Sequence, residues 1–146
     1  MKKKITEVKS SEAEQQEALI DFCNKISLSP RYKDLKLIYH IPNGGSRNTL
    51  EAKNLKKQGV KAGVPDLFLP VAKGGYFGLY IEMKWGKNKA TDEQLKWMAE
   101  LRNQGYAVWL CYGSEVAKNC LEQYISFPPT EIIGERKEFE RIEVNG

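Results

Sequence analysis

Two acidic residues and a lysine are spaced in this sequence so that they could bind a metal ion and hydrolyse a phosphate ester. Asp66 follows Pro65 at the predicted start of one strand, and Glu82 and Lys84 belong to the next strand, after a Gly-Gly turn. Successive side chains of a strand point to opposite faces, so Glu82 and Lys84 share one face. If Asp66 lies on the neighbouring strand with the same orientation, two carboxylates and an ammonium group meet at one point.

Such a triplet suits hydrolysis with the help of a divalent cation. Carboxylate oxygens are natural ligands of Mg²⁺, which usually takes one or two protein acids and keeps several waters. The ion neutralises developing charge and generates a nucleophile near neutral pH, and a lysine beside it can orient or help deprotonate a water. The competing interpretation is a surface hairpin with an ordinary Glu-Lys pair, because Glu-x-Lys alone is common.

The register of the predicted antiparallel hairpin decides whether Asp66 and Glu82 share a face. Directly paired residues point the same way, and a slip of one residue reverses every side chain. A two-residue loop would pair Asp66 with Met83, on the wrong face. A three-residue loop at Lys73-Gly74-Gly75 pairs it with Glu82, and glycine-containing loops of this length are common. We predict the second register, or a bulge with the same effect.

The first helix carries two glutamates that compete for a role near this site. Leu19 and Cys23 belong to an apolar stripe that, extended backward by helical steps, reaches Glu12. Glu14 follows Ser11 by three residues and fits a capping box. We therefore favour Glu12 over Glu14 as an additional metal or water-positioning ligand. The alternative is that Glu12 is exposed in the first turn, where the helix macrodipole favours an acid.

Periodicity and breakers predict alternating helices and strands. Gly59 and Gly105 end helices, Pro65 limits where a strand can begin, and Leu95, Met98 and Leu101 mark the buried face of one helix. The predicted helices are Ser11–Ile26, Thr49–Gln58, one beginning at Thr91, and Ser114–Tyr124; the predicted strands are Leu35–Ile41, Leu67–Val71, Tyr76–Lys84 and Tyr106–Tyr112. This order predicts an α/β domain with a mixed sheet covered by helices.

Cations flank the acidic residues along the chain. They suit a polyanionic substrate whose phosphates must approach carboxylates that would repel them, although lysines are also common on solvated faces. Trp85 and Trp97 could stack on bases, or serve as core anchors. The candidate nucleic-acid-binding residues are Arg47, Lys53, Lys56, Lys57, Lys61 and Lys87.

Composition excludes several classes of protein. A chain of 146 residues, 41% hydrophobic and 29% charged, is typical of one globular domain. No run approaches the ~18 apolar residues of a membrane span, so a cytoplasmic protein is expected. Cys23, Cys111 and Cys120 lack metal-binding spacing and lie in apolar patterns, which predicts buried free thiols.

Several motifs together resemble one nuclease family. Val64-Pro65-Asp66 and Glu82-Met83-Lys84 look like the two halves of the PD-(D/E)XK signature. The surroundings are similar to the VRR-NUC branch in its small stand-alone, bacteriophage-type form, and the likeness runs from about Ser11 to about Tyr124. The supporting segments are 11–16, 41–45, 59–66, 74–76 and 105–106.

The resemblance implies a restriction-endonuclease-like core and a DNA endonuclease dependent on Mg²⁺ or Mn²⁺, with branched or junction DNA among its candidate substrates. Asp66 and Glu82 would bind the ion with the Met83 carbonyl, Lys84 would position or activate the attacking water, and the products would carry a 5′-phosphate and a 3′-hydroxyl. A glutamine after the Glu-x-Lys strand belongs to the family's active site. Gln94 is therefore either an active-site residue or the residue that forms a capping box with Thr91 at the start of the helix.

The expected organisation is a flexible basic N-terminus at residues 1–10, a nuclease domain at 11–127 and a mixed-charge tail at 128–146. If the protein comes from a phage, the location becomes the host cytoplasm. A chain this small has little area to hold two duplex arms, which favours a homodimer. Two rival hypotheses remain open: a non-catalytic nucleic-acid-binding module on the same fold, and a metal-assisted hydrolase of another phosphate ester.

Overall fold

The computed structural model describes residues 11–43 and 49–138. The predicted flexible N-terminus, the last part of the predicted tail, the loop glycines Gly44 and Gly45, and Arg47 lie outside them. The described elements are α1 (Glu12–Ile26), a 3-10 helix (Pro30–Leu37), β1 (Tyr39–His40), α2 (Thr49–Lys57), β2 (Leu67–Leu69), β3 (Leu79–Lys84), α3 (Asp92–Asn103), β4 (Ala107–Tyr112) and α4 (Ser114–Ser126).

The four strands form one mixed sheet in the order β1-β2-β3-β4. β1 and β2, and β2 and β3, pair antiparallel, whereas β3 and β4 pair parallel with α3 as their crossover helix. The predicted α/β class with a mixed sheet flanked by helices is thus confirmed. Within the described residues, no helix combines the length and the apolar character that a membrane crossing requires.

Helices cover both faces of the sheet. The main core lies between one face and helices α1 and α4, where Leu19, Ile81, Met83 and Leu121 are at most 1% exposed. α3 lies against the opposite face, to which Glu82 and Lys84 point, because residues 81 and 83 face the main core. The site is therefore built on the sheet face that α3 shields.

The predicted register of the β2–β3 pair is observed. Leu67 pairs with Ile81 and Leu69 with Leu79, so the same register sets Asp66 opposite Glu82. The connection is longer than a three-residue hairpin loop, because β2 ends at Leu69 and β3 begins only at Leu79. The register therefore agrees with the prediction although the strands are shorter.

Residues 72–76 form a turn, closed by the bond from the Tyr76 amide to the Lys73 carbonyl, and this turn also binds the beginning of the predicted tail. The Gly74 amide donates to the Pro128 carbonyl at 2.7 Å, and the Thr130 hydroxyl donates to the Tyr76 carbonyl at 2.6 Å. Gly74 and Gly75 have φ of 61° and 88°, the left-handed region that glycine adopts without strain. Residues 128–130 are thus attached to the domain.

Two predictions of local structure are wrong. The strand predicted from Leu35 contains only Tyr39 and His40, because Pro30 favours a helix start and Leu35 fills the core from the 3-10 helix. In α3, Leu95 is 50% exposed although it was expected to be buried. The helix is turned so that Gln94 and Met98 face the sheet, and this excludes Leu95.

The two ends of the domain meet behind the end of β3. The Gly113 amide donates to the Lys84 carbonyl at 2.9 Å, and the next residue, Ser114, donates its amide to Oε1 of Gln15 in α1 at 2.8 Å. Gln15 thus binds the backbone at the N-terminus of α4. These bonds tie the strand that carries Lys84 to both terminal helices.

Candidate active site

Asp66 is held in place through its side chain and its backbone. The Met83 amide donates to Asp66 Oδ2 at 2.8 Å, and Nδ2 of Asn43 donates to Oδ1 at 3.3 Å. The Asp66 carbonyl accepts from the Ile41 amide at 2.8 Å and lies 2.8 Å from His40 Nδ1. The carboxylate is therefore fixed beside the end of β3, with its position set by β1 and β3 together.

Glu82 and Lys84 form a buried pair on β3. Their exposed fractions are 1% and 6%, and Lys84 Nζ lies 3.6 Å from Glu82 Oε1. Nε2 of Gln94 donates to the same oxygen at 2.8 Å. The other oxygen, Oε2, is buried and has no hydrogen-bond partner among the residues that the structure describes. A buried carboxylate oxygen without a partner is costly, so this atom is available for a ligand.

The electrostatics of the two acids reflect burial and mutual repulsion. Burial, followed by the charge of Asp66, raises the pKa of Glu82 to about 8, although Lys84 opposes the shift. Burial also raises the pKa of Asp66, against the Met83 amide and His40, which lower it. Two acids with raised pKa values at one point require a nearby positive charge to be ionised together near neutral pH.

The donor set fits a hard divalent cation bound by few protein ligands. Asp66 and the partnerless Oε2 of Glu82 offer carboxylate oxygens, and the buried position suits an ion that keeps waters on its other sides. No cluster of three or more His, Cys, Asp or Glu side chains arranged to hold a metal ion occurs in the described part of the chain. The described geometry therefore offers two acids, and the role of the Met83 carbonyl as a further ligand stays a prediction.

Gln94 unites the two interpretations left open by the sequence. Its side-chain Oε1 accepts from the backbone amide of Thr91 at 2.9 Å. The backbone amide of Gln94 donates to Thr91 Oγ1, which completes the capping box. Its Nε2 donates to Glu82. One side chain thus caps the start of α3 and binds a candidate metal ligand.

The two helix acids have different partners. Glu14 closes the capping box, with its carboxylate accepting from the Ser11 amide at 3.3 Å. Glu12 accepts from Nδ2 of Asn88 at 2.8 Å, and its charge contributes to the raised pKa of both Asp66 and Glu82. Glu12 is therefore the helix acid that influences the site, and its role as a direct ligand stays a prediction.

The candidate nucleic-acid-binding lysines lie on the surface, and Lys56 and Lys61 line a cavity together with Asn43, the residue that binds Asp66. Three of them occupy the exposed side of α2, and the other two lie in the segments that follow α2 and β3. The exposed candidates are Lys53, Lys56, Lys57, Lys61 and Lys87.

Sequence reasoning missed the polar residues that support the acids. Asn43 and Asn88 were not among the predicted site residues, yet they bind Asp66 and Glu12. His40, which was not among them either, binds the backbone of Asp66. The Pro-Asn-Gly sequence at residues 42–44 was the one local signal that could have pointed to Asn43.

The three cysteines are buried free thiols, as predicted. Burial raises the pKa of Cys23 to about 12, which keeps this thiol protonated at neutral pH. In the described structure the main core thus contains these thiols as small apolar side chains.

The raised pKa of Glu82 makes the stability of the metal-free protein dependent on pH. Below pH ~4.5 the Glu82 carboxyl is protonated in both the folded and the unfolded chain. Between that pH and about pH 8 only the folded chain keeps this proton, so the free energy of unfolding falls as the pH rises. Between pH 5.5 and 8.5 we expect a loss on the order of 3 kcal/mol from this group. Urea denaturation with EDTA would measure the loss, and in Glu82→Gln it should be much smaller. Equal losses in the two proteins would contradict the assignment.

Comparisons with known proteins agree on one family. The sequence model of the VRR-NUC domain matches residues 26–115. A solved structure described as "VRR_NUC domain protein" is 30% identical in sequence, with a TM-score of 0.67, and the match covers 82% of this chain and 92% of that chain. A search of curated proteins found no match. The matched residues include the whole of the Asp66, Glu82 and Lys84 site.

Proposed function

Because the chain belongs to the VRR-NUC family, a family of nuclease domains, we propose that it is a DNA endonuclease that uses Mg²⁺ or Mn²⁺ to hydrolyse phosphodiester bonds. The observation that carries this proposal is the convergence of Asp66, Glu82 and Lys84 at the end of β3. Asp66 is bonded to the backbone next to Glu82, and Lys84 lies 3.6 Å from the Glu82 carboxylate. The free oxygen of Glu82 supports a cation between the acids.

Asp66, Glu82 and the Met83 carbonyl would hold the metal ion. When bound, the ion supplies charge neutralisation at the phosphate and lowers the pKa of a water. Gln94 keeps one oxygen of Glu82 engaged and so leaves the other for the ion. The Lys84 ammonium group, next to that carboxylate, donates a hydrogen bond to the attacking water and orients it. Glu12, whose charge acts on both acids, would be an additional ligand of the metal ion or of a water.

The lysines of α2 and the adjacent loops bind the DNA phosphates. We propose the same role, binding of DNA phosphates, for Arg47. Their positive charge offsets the repulsion between phosphates and the acidic site. Phosphate contacts of this kind position the DNA without reading its sequence.

The contribution of α2 can be tested by the salt dependence of binding. Each phosphate contact releases counterions, so Lys56→Ala combined with Lys57→Ala should reduce the slope of log K against log salt by about 2 and weaken binding to all DNA sequences. Fluorescence anisotropy in EDTA at several salt concentrations measures this slope. Lys25→Ala combined with Lys118→Ala removes the same charge from α1 and α4 and should leave it unchanged. An unchanged slope in the α2 variant would exclude this helix from the DNA path.

Cleavage of a panel of DNA shapes tests the proposed reaction. Supercoiled plasmid, linear duplex, flap and four-way-junction DNA are incubated with Mg²⁺, with Mn²⁺ and with EDTA. We expect products with both ions, none with EDTA, and preference for branched forms. Retardation of DNA in gels without any metal-dependent product would indicate a binding module, and hydrolysis of free nucleotides alone would indicate another phosphate-ester hydrolase.

We also propose that two copies act together on branched DNA. The chain of 146 residues offers little surface for two duplex arms, and symmetric dimers are the commonest oligomers. Light scattering should give twice the 16.7 kDa chain mass.

A further inference from the structure

A cavity of about 590 Å³ lies beside the proposed catalytic residues. It is bounded by α2, the segment that follows α2 and the first turns of α3. Its volume falls in the range of about 300–1,000 Å³ that is usual for sites of small ligands. The residues with binding chemistry in its lining are Asn43, Lys56, Lys61, Glu93 and Trp97.

Two segments that line the cavity also bind the carboxylates of Asp66 and Glu82. Asn43 lines the cavity and donates to Asp66 Oδ1 at 3.3 Å. Glu93 lines it as well, and the next residue, Gln94, donates to Glu82 at 2.8 Å. A ligand in the cavity is therefore next to the position where a phosphate would meet the metal ion.

The wall residues combine an aromatic surface with hydrogen-bonding groups. Trp97 is partly buried and packs on Gly63, where an added Cβ would lie 2.9 Å from Trp97 Cδ1. This close packing restrains the indole. A restrained indole is a stacking surface for any nucleobase. Glu93 offers a carboxylate that accepts from the amino group of a base.

The remaining groups of the cavity match the backbone of a nucleotide. Lys56 and Lys61 are exposed cations at its rim and suit phosphate oxygens. Asn43 donates through Nδ2 to the Val64 carbonyl and to Asp66, which leaves its side-chain oxygen as an acceptor next to Asp66. Aromatic surface, base-edge acceptor and cations together correspond to one nucleotide whose base has left the double-helical stack.

We propose that this cavity binds one unpaired nucleotide adjacent to the scissile phosphate, and that the enzyme therefore prefers DNA with an unpaired nucleotide at the cleavage point. This inference rests on the proposed function and names its substrate class. Removing a base from the stack is least costly when the base is already unpaired, so branch points, flaps and mismatches are favoured over perfect duplex.

The test is binding in EDTA, where no cleavage occurs, to two short duplexes. In one, 2-aminopurine lies opposite an abasic position; in the other it is paired with thymine. The unmodified protein should bind the first duplex about tenfold more tightly and should lower its 2-aminopurine emission, because the base stacks on the indole. Equal affinities, or emission that rises on binding, would overturn the inference without any variant.

Variants of Trp97 assign the preference to the cavity. Trp97→Leu keeps an apolar side chain but removes the aromatic surface, and should lose most of the tenfold preference. Trp97→Phe should retain it, as should Lys96→Ala at the neighbouring exposed position. Preservation of the preference in a folded Trp97→Leu protein would refute the role of the cavity.

The same proteins assayed with Mg²⁺ separate this inference from the proposed function. Cleavage that is equally efficient on both duplexes, with no preference in binding, contradicts the cavity assignment and leaves the nuclease intact. A binding preference that depends on Trp97 without any cleavage supports the nucleotide site and contradicts the catalytic proposal.

Discussion

Replacing Lys84 by methionine is expected to lower the rate of DNA cleavage by about 10²–10⁴-fold, the usual contribution of a group that moves or positions a proton in the reaction. Lys84 is only 6% exposed, and methionine preserves most of its apolar stem, so the fold should be retained. The loss should appear in the single-turnover rate constant. The dissociation constant for DNA should remain within about twofold, since this buried cation does not belong to the exposed basic surface.

A suitable control for this variant is Lys25→Met. Lys25 pairs with Asp21 near the C-terminal end of α1, far from Glu12 at the start of that helix. The control should cleave DNA at the rate of the unmodified protein. If Lys84→Met also cleaves at that rate, the role of Lys84 in water activation is refuted.

Replacing Asp66 by asparagine is expected to reduce the affinity for Mn²⁺ by at least about 100-fold and to abolish cleavage. Loss of residues that merely support a metal ligand typically costs 10–100-fold, so loss of a ligand itself should cost at least as much. Asparagine retains an oxygen that can accept from the Met83 amide, which keeps the local structure. Calorimetric titration with Mn²⁺ measures the change in affinity directly.

The melting temperature gives a second measure of metal binding at Asp66. Under the proposed function Mn²⁺ binds only the folded chain, so it should raise the melting temperature of the unmodified protein and not that of Asp66→Asn. Asp21→Asn, at an exposed position on α1, should respond like the unmodified protein. Unchanged titration curves for Asp66→Asn would exclude this residue as a ligand.

Features of the fold that depend on near neighbours could be predicted from the sequence. The capping boxes at Ser11 and Thr91 involve residues three positions apart, and both are present. The register of the β2–β3 pair was predicted from the chemistry, because only one alignment sets Asp66 opposite Glu82. The requirement that Asp66 and Glu82 lie on one face of the sheet thus predicted the pairing of β2 with β3 better than the length of the loop between them did.

Features that depend on distant neighbours could not be predicted. The apolar pattern of α3 is compatible with either Leu95 or Gln94 facing the sheet. Gln94 faces it because buried Glu82 requires a hydrogen-bond donor, and Leu95 is therefore exposed. The short β1 reflects the place of Leu35 in a core that forms only when α1 and the sheet are present. Asn43 reaches Asp66 across 23 positions, and the Pro-Asn-Gly sequence around it indicates a turn without indicating this partner.

The bonds from Gly113 to Lys84 and from Ser114 to Gln15 have a consequence for how the protein acquires its activity. The second bond spans 99 positions, so it closes only after most of the chain has been synthesised and has collapsed. Contacts of such long sequence separation form slowly, since a large loop must first lose its entropy. We expect a nascent or partly refolded chain to lack nuclease activity until Ser114 has reached Gln15, and this activity to be among the last properties that the chain gains.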